Sequence, residues 1–292
     1  MRILHATHLG MCFGVRDAIT LALDHARERP LTVLGDLVHN PTVLATLEAR
    51  GIAVARDPAQ VATPTVMVTA HGASQRALAR TRALGLTVVE ATCPLVQVAH
   101  RAVAALVRDG YHPVIVGQRD HVEVRGLTED LDCFDVVLDE QDVLALDEHP
   151  RIGVASQTTQ TTERVQHLAG LIRRRFPRSE VRVIDTVCKP TRQRQEAAVD
   201  LARHADVVIV IGGASSNNTR ELVKTCRRYC GRVHHVQTEA DVQPAWLEGA
   251  DTVGITAGTS TPDNVIEAVD VRIRGLAAER ALLAAGRNAC RD

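Results

Sequence analysis

The sequence predicts an α/β protein of three similar lobes closed into a ring, with the N-terminal strand completing the third lobe. Three observations carry this reading. Short Val/Ile-rich runs alternate with Ala/Leu/Arg-rich helical stretches, three kinds of loop recur in step along the chain, and the last repeat lacks a strand that residues 1–7 can supply.

The apolar runs are LTVLG, VMVTA, LTVVEA, HPVIVG, RIGVAS, VRVID, VVIVIG and TVGITA. Each has the length of one strand, and most are continuous rather than alternating, as strands covered on both faces of a parallel sheet require.

The first recurring loop carries a cysteine between a strand and a helical pattern. It reads HLGMCFGVRDAI, VVEATCPLVQVA and VIDTVCKPTRQRQ, and places Cys12, Cys93 and Cys188 81 and 95 residues apart. The second ends a buried strand in Gly and a polar loop, in LTVLGDLVHN, HPVIVGQRDHVE and VVIVIGGASSNN. The third ends a strand in small polar residues, in VMVTAHGAS, IGVASQTT and VGITAGTS. All three series keep the same order and nearly the same period, so lobes are expected over 8–92, 93–186 and 187–292, the last with 1–7 added. After TAGTS the chain runs on only as the helical pattern PDNVIEAVDVRIRGLAAERALL, whereas MRILHAT stands directly before Cys12 and supplies the missing strand.

Composition bounds the function. The 292 residues hold 34 Lys and Arg against 35 Asp and Glu, a net charge of −1, which excludes attachment to nucleic acid by bulk charge. Three Phe, two Tyr and one Trp are too few for a stacking platform or an aromatic cage. No apolar stretch reaches the roughly 18 residues of a membrane span, and the N-terminus lacks the blocks of a signal peptide, so the expected location is cytoplasmic. Seven cysteines without any CxxC are expected to be free thiols or ligands assembled by the fold rather than a disulfide framework or a local zinc loop.

Three thiolates around a pseudo-threefold axis suit three corners of an iron–sulfur cube whose fourth iron has no protein ligand, a catalytic geometry. Zinc with three Cys and one water is the rival metal reading, and buried cysteines acting as small hydrophobes are the bland one. That bland role is expected of Cys133, Cys226, Cys230 and Cys290, with Cys226 and Cys230 sharing a helix face. The polar loops would bring His39, Asn40, His71, His121, Glu123, Thr158, Thr159, Ser215 to Asn218, Thr259 and Ser260 to the centre. This donor-rich set with one carboxylate fits a phosphate or diphosphate. Glu123 is the best-placed proton donor or relay.

At these residues the chain resembles the 4-hydroxy-3-methylbut-2-enyl diphosphate reductase family. The motifs are GMCFGVRDAI, GDLVHNPTV, TAHGAS, ATCPLV, HVEV, ASQTT, SNNTREL and TAGTSTPD, in order from residue 10 to 263. The resemblance implies a cloverleaf α/β fold around one [4Fe–4S] cluster held by Cys12, Cys93 and Cys188. It implies that the substrate's allylic alcohol meets the open iron, two electrons enter, water leaves, and protonation gives isopentenyl and dimethylallyl diphosphates. It further implies that His39, His71, His121, Ser216, Asn217, Asn218 and Ser260 serve the diphosphate, with Glu123 and His121 at the reacting end and Thr158 orienting the hydroxyl. The electron donor implied is a ferredoxin or flavodoxin.

The sequence departs from the family pattern twice. The loop at 215–218 admits a second register using Ser215, Ser216 and Asn217. The segment QRDHVEVRGLTED carries Arg119, Asp120 and Arg125 where many relatives have glycine and proline. Two other function classes fit the residues alone: an iron–sulfur hydro-lyase using the open iron only as a Lewis acid, and a non-enzymatic phosphometabolite-binding protein. GGASSNN lacks the GK[ST] of a Walker loop and no clean GxGxxG follows a strand, which disfavours NTP and NAD.

Overall fold

The computed structural model describes residues 1–289, so Cys290 lies outside the described residues. In chain order the elements begin with β1 (Arg2–His5) and α1 (Phe13–Glu28). Next come β2 (Leu31–Leu34), α2 (Pro41–Glu48), β3 (Ala53–Ala55), β4 (Thr65–Val68), α3 (Gln75–Ala83) and β5 (Thr87–Glu90). They are followed by α4 (Pro94–Arg108), β6 (His112–Val116), α5 (Val122–Thr128), β7 (Asp135–Val137), α6 (Glu140–Leu144), β8 (Arg151–Ser156), α7 (Thr162–Arg175) and β9 (Glu180–Val183). The chain closes with α8 (Lys189–Arg203), β10 (Val207–Ile211), α9 (Asn217–Arg227), β11 (Val233–Val236), β12 (Thr252–Ala257) and α10 (Asp263–Ala289).

The strands form three four-stranded parallel sheets, ordered β3-β2-β4-β5, β7-β6-β8-β9 and β11-β10-β12-β1. The predicted three-lobed α/β class holds, and so does the completing strand: β1 pairs with β12 from Arg2 opposite Thr252 to His5 opposite Ile255. All eight apolar runs lie on strands. The strands missing from the sequence reading are β3, β7 and β11, one outer edge of each sheet. They are three or four residues long, and β11 reads VHHV, too short and too polar to stand out as an apolar run.

The central strands explain why the pattern was legible. Every residue of β10, VVIVI, is buried, because helices cover both faces of a parallel sheet. Ile209 and Ile211 pack on one face with Val265, Val269 and Ile273 of α10, while Val208 and Val210 face Ala198, Leu201 and Leu222. Burying each such aliphatic side chain stabilises the fold by about 1.5–3 kcal/mol.

The chain divides into two compact units. One, Phe13–Arg192, holds the first two sheets; the other, Met1–Cys12 with Gln193–Asp292, holds the third. Within the second of these, Cys226 and Cys230 are buried in one core cluster. They do not share a helix face: α9 stops at Arg227, and Cys230 follows it, its N–H still donating to the Cys226 carbonyl. Cys133 is exposed rather than a core residue, because it sits in the loop between α5 and β7.

Candidate functional site

Each sheet presents the same loop architecture at the carboxyl ends of its strands. Gly35, Gly117 and Gly212 end β2, β6 and β10, and each donates its N–H to the end of the neighbouring edge strand, at Ala55, Val137 and Val236. Each cysteine stands directly before a helix. Its N–H donates to the small polar loop of its own sheet: Cys12 to Thr259 at 3.0 Å, Cys93 to Ala70 at 3.1 Å, and Cys188 to Thr158 at 3.0 Å. The three cysteine loops are thus equivalent in backbone bonding as well as in sequence. The positive end of the following helix favours an anion at each sulfur.

Within the Phe13–Arg192 unit, Cys93 is the N-cap of α4 and makes no side-chain cap hydrogen bond, Pro94 being the first helical residue. Gly14 lies against it. A methyl group at Gly14 would collide with the Cys93 Sγ, so this position in GMCFG is kept empty for the sulfur. The sequence reading missed Gly14, whose only trace is a glycine early in a helix, where Ala would otherwise be preferred. The Cys188 Sγ contacts Thr191 Oγ1 at 3.1 Å.

The same unit gathers His39, His71 and His121 into a triangle of rings. Centroid distances are 4.2 Å for the stacked His39–His71 pair, 5.1 Å for His39–His121 and 5.6 Å for His71–His121. Burial holds the His71 imidazole well below its ordinary pKa, with the charges of His39 and His121 acting in the same direction. His71 is therefore neutral near pH 7, and its backbone N–H donates to Thr69 Oγ1 at 3.3 Å. Asn40 sits beside this group but caps α2, its Oδ1 receiving the N–H groups of Thr42 and Val43. Its side-chain oxygen is thereby committed to the helix as a structural cap.

His121 is the N-cap of α5, and its Nδ1 accepts the Glu123 N–H at 3.1 Å, which leaves Nε2 to carry the ring proton. The Glu123 carboxyl is buried and faces Thr158, whose N–H donates to Oε1 at 2.6 Å and whose hydroxyl donates to Oε2 at 3.1 Å. Burial pushes the Glu123 pKa up to about 7, against the opposing pull of the two Thr158 hydrogen bonds. The Thr158 carbonyl in turn receives the Cys188 N–H. These bonds tie the His121 ring to the Glu123 backbone, the Glu123 carboxyl to Thr158, and the Thr158 carbonyl to the Cys188 backbone.

The other unit carries Ser216, Asn217, Asn218 and Ser260, all buried. Ser216 caps α9 through the Thr219 N–H, whereas Ser215 is exposed. Both amide atoms of Asn218 are buried without a hydrogen-bond partner, as is Thr219 Oγ1. Buried polar groups in native proteins are nearly always satisfied, so unpaired donors and acceptors at a helix N-terminus mark a place for a polar ligand. Arg119, Asp120 and Arg125 are exposed, with Arg119 reaching the Val136 carbonyl at 3.3 Å. Among the described residues, the group His112, Asp135 and His149 also brings three ligand atoms within 4.8 Å. It sits at the amino ends of β6, β7 and β8, away from the cysteine loops, and His112 and His149 are stacked with parallel rings.

These loops match a known family over nearly the whole chain. The LytB protein family matches residues 3–274. The chain belongs to the LytB family. The 4-hydroxy-3-methylbut-2-enyl diphosphate reductase of Pelobacter propionicus is 38% identical over 275 residues, covering 94% of this chain and 98% of that protein. The enzyme of the same name from Aquifex aeolicus is 37% identical over 278 residues, covering 93% and 96%. A solved structure of (E)-4-hydroxy-3-methyl-but-2-enyl diphosphate reductase, described as the terminal enzyme of the non-mevalonate pathway, aligns with TM-score 0.65 at 35% identity over 94% of this chain and 100% of that one. The Plasmodium falciparum reductase structure aligns with TM-score 0.86 at 26% identity, covering 91% and 86%. LytB enzymes are iron–sulfur oxidoreductases of isoprenoid biosynthesis. No described helix of this chain is long and apolar enough to cross a membrane.

Proposed function

We propose that the chain reductively removes the hydroxyl of 4-hydroxy-3-methylbut-2-enyl diphosphate, giving isopentenyl and dimethylallyl diphosphates, in the cytoplasm. The observation that carries the reading is the buried Glu123 carboxyl, held by the Thr158 N–H and hydroxyl, in a loop whose backbone also receives the Cys188 N–H, with the His121 ring capping the Glu123 N–H.

Cys12, Cys93 and Cys188 would hold one [4Fe–4S] cluster. The three equivalent cysteine loops and the space left by Gly14 beside Cys93 fit such a group. When bound, the cluster supplies a Lewis-acidic iron for the alcohol and a path for two electrons from a donor such as a ferredoxin or flavodoxin.

The chain's own residues do the rest. His39, His71 and His121, together with Ser216, Asn217, Asn218 and Ser260, bind the diphosphate through hydrogen-bond donors. The unpaired Asn218 amide supports that role. Binding energy from this remote group orients the reacting end and excludes water. Thr158 orients the substrate hydroxyl, and Glu123 holds the proton at its carboxyl. With a pKa of about 7 that carboxyl both keeps and yields a proton near neutrality. Protonated Glu123 can donate from Oε2 to Thr158 Oγ1, which rotates its own hydroxyl proton toward the substrate.

The test is anaerobic turnover of the diphosphate substrate with a reduced mediator, with iron and sulfide quantified in the same sample. Five-carbon alkenyl diphosphates from iron-loaded protein are the expected result. A loaded cluster with no reductive turnover would overturn the proposal.

A further inference from the structure

The His71 loop and helix α5 come from different sheets, yet they are fastened together at one seam. Gly126 of α5 packs on the Ala73 backbone: a methyl group at Gly126 would lie 3.6 Å from the Ala73 Cα and 3.6 Å from the His100 ring. His100 also fills the space beside Gly72, whose φ of +77° lets the loop turn there. Immediately after α5, the acidic segment 129–132 reaches over the first turn of α3. Asp130 accepts the Gln75 N–H at 2.7 Å and the Arg76 N–H at 2.9 Å, one on each carboxylate oxygen. Glu129 accepts the Ser74 hydroxyl at 2.6 Å and pairs with Arg80. A carboxylate that receives two backbone N–H groups at a helix N-terminus is a strong, directional tie. This tie runs between the residues three to five places past His71 and those eight or nine places past His121.

We infer that Asp130, supported by Glu129, is a positioning residue that sets the spacing of His71 and His121 before the diphosphate arrives. The inference rests on the reading that these imidazoles take the diphosphate. Nothing in the charge run EDLD distinguishes it from an ordinary solvated face, and only its contacts with α3 give it this role. Because Asp130 touches neither ring, its removal leaves the chemistry intact and lets the two halves of the imidazole site drift. Pre-organisation is then lost, and the diphosphate must close the site at the expense of its own binding energy.

The experiment uses cluster-loaded enzyme handled anaerobically. Asp130→Ala, Asp130→Asn and the control Asp132→Ala, which removes only the exposed pair with Arg76, are compared for affinity toward inorganic diphosphate, for KM and kcat, and for thermal melting. Asp130→Ala is expected to raise both the diphosphate Kd and the substrate KM about tenfold with kcat within about twofold of wild type. Asp130→Asn, which keeps one acceptor oxygen, should fall between, and it carries the test if the alanine variant fails to fold. A lower melting temperature with unchanged Kd and KM in both variants would overturn the inference and leave the seam merely structural. His71→Ala tests the underlying reading separately. If it binds inorganic diphosphate as tightly as wild type, the imidazole assignment fails, and the role of Asp130 fails with it.

Discussion

Glu123 and Thr158 are joined twice, by the Thr158 N–H to one carboxylate oxygen at 2.6 Å and by its hydroxyl to the other at 3.1 Å. The backbone bond fixes the carboxyl in place whatever its charge, and the hydroxyl bond can reverse as a proton moves. This division of labour between the two bonds is what a relay requires.

Replacing Glu123 with Gln should keep the Thr158 N–H bond and the fold but remove the titrating group. Turnover is expected to fall by about 10²-fold or more. The sign of the pH dependence follows from the raised pKa. The acid form is lost as pH rises through about 7, so wild-type turnover should decline on the alkaline side and the Gln variant should lose that limb. Anaerobic rate profiles from pH 6 to 9, with melting curves alongside, measure both.

The imidazole triad leads to a proton-linkage prediction. His71 is held neutral by burial and by its two ring neighbours, and a bound polyanion reverses that bias. Diphosphate binding near pH 7 should therefore take up protons, on the order of one per site. Calorimetry in buffers of different ionisation enthalpy reads the number directly. Without ligand the effect on stability has the opposite face. As pH falls below the ordinary imidazole value of about 6.5, the unfolded chain accepts a proton that folded His71 refuses, so stability should drop on that side.

Cysteines should separate by role. Cys93→Ser is expected to abolish retention of iron and sulfide after anaerobic reconstitution. Cys226 is fully buried, and burial, with Cys230 beside it, pushes its thiol up to about 12, so it remains a neutral core group. Cys226→Ala should keep the full iron content and lose only about 1–2 kcal/mol of stability.

Gly14→Ala tests the space beside Cys93. On helix propensity alone the change would stabilise by about 1 kcal/mol. Because the new methyl would meet the Cys93 sulfur, we expect a loss of about 1–3 kcal/mol and poor iron retention. Denaturant melts and iron analysis of the variant give the sign.

Deleting residues 2–6 removes β1 from the edge of the third sheet, where Ile3 and Leu4 pack on the cores at its two faces. A loss of about 2–4 kcal/mol is expected from those two side chains alone, measured as a lowered melting transition.

The three-lobed fold was legible in the chain because each sheet buries its central strands on both faces. A strand such as VVIVI then announces itself without help from its neighbours. The cysteine and polar loops were legible because they recur in step, so the positions of His39, His121 and Glu123 relative to their strands followed from spacing. The edge strands β3, β7 and β11 were not, since a short edge strand draws its stability from its partner rather than from its own apolar content. The capping role of Asn40, the space at Gly14 and the bonds from Asp130 to α3 were equally invisible. Each depends on contact between residues distant in sequence, or on the direction in which a side chain turns. Local chemistry set which residues stand at each strand end. Packing between elements set which of those residues became a cap, a buried carboxyl or a fastening, because hydrogen bonds and burial are properties of neighbours in space.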